Sequence, residues 1–279
     1  MLLNSVILIL QETLEAALLI GVLLAINTQL RCAHRWLWYG LLSGAIIAAL
    51  SAINMGSVAE WFDYAGQEVL NSVMQSLICL FLAAAVWLVS GLNQFQLGAW
   101  QQYGNYFGRL CGLIIMLAVI REGQEIMLYL GGFFSSGKHL QQVTMGSIIG
   151  FGIGASSGIL LFYGLVGLPA AWTKPVSLTL LALFAGTMLS QSALQLTQVD
   201  WIEQTAPLWD SSALLAEDSL LGELLYALVG YESQPTAAQV ISYTAGVCLV
   251  LIAAFGGSRY KKQHAFNLHN SGRQSGEIV

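Results

Sequence analysis

The chain has 279 residues, of which 56 % are hydrophobic and only 9 % are charged. A water-soluble globule of this length cannot cover so many apolar side chains, so the composition excludes soluble enzymes and soluble binding modules and indicates a protein whose solvent is the bilayer. The formal net charge of −5 disfavours nucleic acid as a partner.

Apolar runs long enough to cross a bilayer, about 20 residues each, recur along the whole chain. The first contains two carboxylates and lacks a basic start, so we interpret it as a helix rather than a signal peptide. The pattern predicts an all-α polytopic membrane protein with about seven transmembrane helices, near residues 2–26, 36–55, 69–92, 110–133, 143–166, 176–196 and 238–257.

Two segments lie outside these runs. Residues 197–237 are predicted to form an external, partly helical cap, because they contain their own apolar stretch at 220–229. Residues 258–279 are polar and are predicted to be a disordered cytoplasmic tail. The transmembrane domain is therefore expected to span residues 1–257.

Basic residues set the predicted orientation, since they accumulate in cytoplasmic loops. An outside N-terminus and a cytoplasmic C-terminus leave only Lys138 external and place eight basic residues inside: Arg31, Arg35, Arg109, Lys174, Arg259, Lys261, Lys262 and Arg273. Ten acids fall on the external side, where they either solvate loops or attract cations: Glu60, Asp63, Glu68, Asp200, Glu203, Asp210, Glu217, Asp218, Glu223 and Glu232. The candidates for attracting cations are Glu68, Asp210, Glu217 and Asp218.

Glycines recur at every fourth position of the fifth run, at Gly146, Gly150, Gly154 and Gly158. This spacing stacks them on one helix face and predicts close approach of another helix backbone.

Charged residues lie near the middle of two predicted spans. Glu12 and Glu15 lie in the first, and Arg121, Glu122 and Glu125 lie in the fourth. A charged side chain at the bilayer centre costs about 3 kcal/mol on insertion scales, so four carboxylates indicate function rather than packing. Each pair has i, i+3 spacing, which puts both carboxylates on one helix face about 5–6 Å apart. Two ionised groups at that distance repel by roughly 3 kcal/mol, so a cation or protons must hold them together.

Two interpretations of these carboxylates remain open. Oxygen ligands without nearby His, Cys or Met favour a hard metal ion, and the four cysteines include no CxxC pair that would indicate a zinc site. Alternatively, Arg121 neutralises one glutamate and the others are protonated in a buried network.

The two charged helices each begin a set of three predicted spans. Three spans per set make the sets antiparallel, which is the inverted-repeat plan of many transporters, whose sites form at the midplane where the repeats meet. The sequence thus predicts two inverted three-helix repeats followed by a seventh helix.

These residues resemble the oxidase-coupled iron permeases, the family of the fungal high-affinity iron permease and the bacterial EfeU-type permeases. Two Arg-Glu-x-x-Glu motifs mark that family. The second is intact here at residues 121–125, and the first begins with Gln11 instead of arginine. The likeness extends to Trp209-Asp210, to residues 219–222, and to Gly230-Tyr231 followed by Pro235.

The resemblance implies an iron permease rather than an enzyme, with Glu12, Glu15, Glu122 and Glu125 as iron ligands and Arg121 and Gln11 as motif partners. It implies no permanently bound cofactor, since iron is the transported substrate. It also implies a bacterial inner-membrane location and an extracytoplasmic oxidase that delivers ferric iron. Besides Gln11, a second departure is Asn71, where the bacterial members tend to have glutamate.

Other function classes are weaker. A transporter of another hard or divalent cation would use the same carboxylates. A membrane-embedded di-iron oxidase usually needs Glu-x-x-His motifs, whereas the four histidines lie outside the predicted spans. A non-transporting subunit would use Glu12 and Glu125 only as contacts between helices.

Overall fold

The fold is a bundle of long helices. A computed structural model describes residues 2–30, 33–90, 97–136, 140–216 and 219–276. These residues form eight helices and no strand: Leu2–Gln29 (α1), Arg35–Ala59 (α2), Gly66–Val89 (α3), Leu97–Ser136 (α4), Leu140–Gly167 (α5), Ala170–Gln198 (α6), Leu220–Val229 (α7) and Ala237–Gly276 (α8).

Most of these helices are suited to a bilayer. Within the described residues, six are long and apolar enough to cross one, namely α1, α2, α3, α5, α6 and α8. Helix α4 has 40 residues and packs against α1, α2 and α3, so we treat it as the remaining span. Because helices satisfy their own backbone hydrogen bonds, this arrangement suits hydrocarbon. The predicted polytopic, all-helical class is confirmed.

Contacts between helices follow a twofold pattern. If α1, α2 and α3 are equivalent to α4, α5 and α6 respectively, each contact between two helices should have an equivalent contact. The α1–α5 contact is then equivalent to the α4–α2 contact, and the α3–α4 contact is equivalent to the α6–α1 contact. All four contacts are present. The α1–α4 and α3–α6 contacts, which join equivalent helices, are present as well. The pattern supports the predicted inverted repeats, with α8 packed on α3 and α6 as the additional helix.

Glycines make the two equivalent crossings close. A Cβ on Gly150 of α5 would lie 2.5 Å from the Val6 carbonyl oxygen of α1. In the other repeat, a Cβ on Gly40 of α2 would lie 2.8 Å from the Gly112 carbonyl oxygen of α4. The predicted packing role of the fifth-run glycines is confirmed, since any side chain there would push the backbones apart.

Helix α7 is too short to cross a bilayer. It begins after Ser219, whose hydroxyl accepts a hydrogen bond from the Gly222 amide at 3.0 Å. It ends at Gly230, which has a left-handed φ of 68°. The helix packs against α1 and α6, so the predicted partly helical cap reaches into the bundle.

The backbone beyond residue 257 differs from the predicted disordered tail. Helix α8 continues to Gly276. The polar composition suggested disorder, but residues 258–276 contain no proline, and a helix that is already nucleated extends at little cost.

Candidate functional site

The two Glu-x-x-Glu motifs come together between α1 and α4. These helices are in direct contact, and a hydrogen bond of 2.6 Å joins the hydroxyls of Ser5 and Tyr129. The two helices that carry the motifs are therefore direct neighbours.

Arg121 connects the two motifs. Its Nη1 lies 3.1 Å from Oε2 of Glu15 and 3.0 Å from Oε1 of Glu122. Arg121 is 5 % exposed and Glu122 is 4 % exposed. One guanidinium thus holds one carboxylate from each repeat, and its charge-assisted bonds are strengthened by burial.

The remaining two carboxylates have different neighbours. Glu12 is a near neighbour of Glu122, and two acids at close range favour a shared proton or a cation between them. Glu125 accepts a hydrogen bond of 3.5 Å from Nδ2 of Asn71 on α3. Arg121 makes no ion pair with either Glu12 or Glu125.

A large polar cavity leads to these groups. This main cavity has a volume of about 800 Å³ and extends from the motifs to the loops on both sides of α7, with lining residues that include Gln11, Glu12, Glu15, Arg121, Glu125, Gln191, Thr205, Glu223 and Gln234. A smaller side pocket of about 370 Å³ is lined by Leu8, Glu12, Gln67, Glu68, Asn71, Glu125, Leu128, Gln195 and Gln198. Glu12 and Glu125 line both spaces, whereas Glu15 lines the main cavity and not the side pocket.

The opposite side of the motifs is closed. Glu15 and Glu122 line a gap of only about 10 Å³ together with Ile78, Phe184 and Met188, which is at most room for one water molecule. These three apolar side chains are at most 5 % exposed. Apolar packing thus leaves little free space around Glu15 and Glu122 on this side of the motifs.

Buried amides form a network that the sequence analysis missed. Gln191 of α6 donates from Nε2 to Oε1 of Glu15 at 3.2 Å and to the Tyr226 hydroxyl at 2.8 Å. Its Oε1 accepts a hydrogen bond of 2.9 Å from Nε2 of Gln75 on α3. Burial, together with the nearby Glu15 carboxylate, raises the pKa of Tyr226 well above its ordinary value, so the phenol stays neutral.

A signal for this network was present in the chain. Gln191 and Gln195 interrupt the sixth apolar run, and Gln198 follows it closely. Asn71 and Gln75 interrupt the third apolar run in the same way. Polar residues inside a membrane helix generally face the bundle interior, and this pattern could have identified both helices as part of the site.

Gln11 takes a different place from its counterpart Arg121. It lines the main cavity and donates from Nε2 to Oε1 of Glu223 on α7 at 3.4 Å. Glu223, which the sequence analysis grouped with the external acids, is only 6 % exposed.

The predicted cation-attracting acids have separate locations. Glu68 lines the side pocket. Asp210 accepts hydrogen bonds from Ser212 and from Gln234, at 2.9 Å in the latter case. The Ser212 bonds lower the pKa of Asp210 most, and this carboxylate therefore serves to fix the loop. Glu217 and Asp218 lie outside the described residues.

A ready metal centre is not formed. In the part of the chain that the structure describes, no three His, Cys, Asp or Glu side chains converge in the geometry of one. The motif carboxylates are instead held by Arg121, by one another and by the Asn71 and Gln191 amides.

Comparisons with known proteins identify the family of the chain. Residues 2–264 match the Iron permease FTR1 family. A ferrous iron permease EfeU of Escherichia coli O6:H1 is 27 % identical over 247 residues, covering 84 % of this chain and 88 % of the relative. A ferrous iron permease EfeU of Shigella sonnei is 27 % identical over 249 residues, with the same coverage of 84 % and 88 %. No solved structure matches the chain. Because the family match spans nearly the whole chain and includes both motif helices, the protein belongs to the iron permease family.

Proposed function

We propose that the protein carries iron across the bacterial inner membrane into the cytoplasm, with Glu12, Glu15, Glu122 and Glu125 as ligands of the moving ion and with no permanently bound cofactor. The carrying observation is the cavity that reaches Glu12, Glu15 and Glu125, with Glu122 enclosed by apolar packing beside them. Its described lining, with that of the side pocket, contains six carboxylates and one guanidinium. Such a surface concentrates cations.

The ion would travel in two stages. Glu12 and Glu125 face the open cavities, whereas Glu15 and Glu122 are paired with Arg121. A cation at the outer pair would compete with Arg121 for the inner pair. Its passage then requires the apolar contacts around Phe184 to separate, as in an alternating-access cycle. Arg121 returns to the carboxylates when the ion leaves.

Oxygen donors suit ferric iron best, since it is the harder ion. We therefore include in the proposal an extracytoplasmic oxidase that converts ferrous iron and delivers the product. The printed names of the relatives specify ferrous iron, so the two oxidation states have to be compared directly.

Uptake by proteoliposomes tests this function. Purified protein should accumulate labelled iron, supplied either as ferric citrate or as ferrous iron under anaerobic conditions, with manganese and zinc as competitors. Glu122→Gln should lower uptake by at least about tenfold, as is typical when a group of a metal site is lost. Glu60→Gln is the matched control, because Glu60 is exposed at the end of α2. Uptake by Glu122→Gln equal to that of Glu60→Gln would contradict the ligand assignment.

The orientation is a separate part of the proposal. The loop that contains Ala213 follows the end of α6 and precedes α7 and the start of α8, whereas Arg259 lies at the far end of the apolar part of α8. The two positions are therefore expected on opposite sides of the bundle. In a background without the native cysteines, Ala213→Cys should react with an impermeant thiol reagent from outside intact cells. Arg259→Cys should react only after the membrane is opened. Reaction of both from the same side would contradict the topology.

A further inference from the structure

The side pocket differs in charge from the rest of the site. Its lining includes three carboxylates, from Glu12, Glu68 and Glu125, and Arg121 is not part of it. No Lys or Arg is among the described residues that line it. A cation that enters this pocket therefore meets acidic groups without first displacing a guanidinium.

Asn71 adds a second kind of oxygen. It is only 4 % exposed, and its Nδ2 donates to Glu125. The neighbouring carboxylate fixes the orientation of the amide, because a flipped Asn71 would place two oxygens against each other. In this orientation the buried Oδ1 accepts no hydrogen bond from the protein. The same is true of Oε1 of Gln195, which lines the same pocket.

The equivalent amide in the other repeat has a hydrogen bond donor for its oxygen, so an amide oxygen without a donor is not a general feature of the fold. The contact between Ser72 and Ser192, with hydroxyls 2.6 Å apart, marks equivalent positions on α3 and α6, so Asn71 corresponds to Gln191. Both donate to the second glutamate of a motif, Asn71 to Glu125 and Gln191 to Glu15. The oxygen of Gln191 accepts a bond from Gln75, whereas the oxygen of Asn71 has no donor.

Carboxylate and side-chain amide oxygens together are the donors that hard cations take. From the pocket, its charge and the two oxygens without donors, we infer that the side pocket is a first binding subsite for the transported cation, in which Asn71 Oδ1 and Gln195 Oε1 bind the ion beside Glu12, Glu68 and Glu125. This inference rests on the proposed function and adds ligands to it. A neutral amide in place of another carboxylate lowers the charge of the subsite. It therefore holds the ion less tightly and releases it to the inner pair, as permeation requires.

The two atoms of the Asn71 amide can be separated by substitution. Asn71→Asp keeps an oxygen at the pocket but removes the hydrogen bond donor to Glu125, whereas Asn71→Leu removes both. The full-length purified protein should be titrated with ferrous iron under anaerobic conditions, and uptake should be measured in proteoliposomes over a range of iron concentrations.

Asn71→Leu should weaken iron binding and raise the KM of uptake by about tenfold, as expected for a lost partner of a metal site, with the maximal rate largely retained. Asn71→Asp should bind iron at least as tightly as the wild type, because the ligand charge increases. Gln195→Leu should shift KM in the same direction as Asn71→Leu, and it replaces Asn71→Leu if that variant does not fold. The matched controls are Asn54→Leu and Asn54→Asp on α2, where Asn54 is exposed and bonds only its own helix, to the Leu50 carbonyl.

Weaker binding in Asn71→Asp, by as much as in Asn71→Leu, would overturn the inference and leave Asn71 only a positioning residue for Glu125. Unchanged KM in both Asn71→Leu and Gln195→Leu would also overturn it. Neither result affects the proposed function, which fails if the wild-type protein does not accumulate iron or if Glu122→Gln takes up iron as fast as Glu60→Gln. The two ideas are therefore tested by different variants.

Discussion

The two motif helices have the same glutamate spacing but different charge partners. On α4, Arg121 is buried and pairs with Glu15 and Glu122. On α1, the equivalent position is Gln11, which is exposed to the main cavity and contacts Glu223 of α7. Helix α7 packs on α1 and α6, and the described residues of the other repeat contain no helix equivalent to it.

This difference shows how a symmetric scaffold forms a directional site. The backbone crossings and the amide donors from α3 and α6 are repeated, but a single arginine serves both halves. Glu12 and Glu125 line both cavities, Glu15 lines the main cavity while it pairs with Arg121, and Glu122 is enclosed by apolar packing. Under the proposed function, an ion that enters through the side pocket would meet Glu12 and Glu125 before the carboxylates paired with Arg121.

The largest expected effect comes from removing the shared charge. Arg121→Gln leaves Glu15 and Glu122 buried without their cation, and breaking a buried ion pair from one side costs about 3–5 kcal/mol. We expect a lower unfolding temperature and loss of most iron uptake, measured by a thermal shift in detergent and by proteoliposome transport.

Arg109→Gln is the control for this prediction. Arg109 lies on the same helix, and its guanidinium is over the Tyr106 ring at 5.8 Å. It makes no contact with the motif glutamates. If Arg121→Gln transports iron as fast as Arg109→Gln, one arginine does not serve both repeats.

A smaller effect is expected at the symmetric crossings. Gly150→Ala places a Cβ 2.5 Å from the Val6 carbonyl oxygen, so α1 has to shift and Glu12, less than two turns away, shifts with it. We expect a loss of about 1–3 kcal/mol in stability, as for other overpacked sites, together with slower uptake. Gly152→Ala is the matched control, since no atom lies within 4 Å of a Cβ there. Equal stability of the two variants would show that the crossing tolerates separation.

The smallest effect is expected at Gln11. Gln11→Arg adds a positive charge to the main cavity, where it would pair with Glu223, whose Oε1 is already 3.4 Å from the Gln11 amide. Iron affinity should weaken by about twofold to fivefold, the size expected for charges several ångströms apart in a wet cavity, and transport should continue. In the double variant Gln11→Arg with Glu223→Gln, iron affinity should fall further than in Gln11→Arg alone, because the new arginine no longer has the Glu223 carboxylate as its partner. Binding by the purified variants across a pH series decides this, and unchanged or tighter binding would contradict the charge argument.

Several features followed directly from the sequence. Apolar runs predicted the long helices, since only helices satisfy the backbone in hydrocarbon. The i, i+3 spacing predicted that the two glutamates of each pair lie on one helix face. The glycines at every fourth position of α5 predicted a close helix crossing, which the structure places between α1 and α5. These patterns depend on residues near one another in the chain, where helix geometry is fixed.

Other features depended on residues far apart in the chain, and only the tertiary structure decided them. The pairing of Arg121 with Glu15 joins positions 106 residues apart, and the contact between Gln11 and Glu223 joins positions 212 apart. No periodicity encodes such distances. The docking of α7, the apolar packing around Glu122 and the sharing of Arg121 between the two repeats arise from how the helices pack. The sequence by itself therefore determined which groups are in the membrane, and the packing determined which of them are enclosed and which line the cavities.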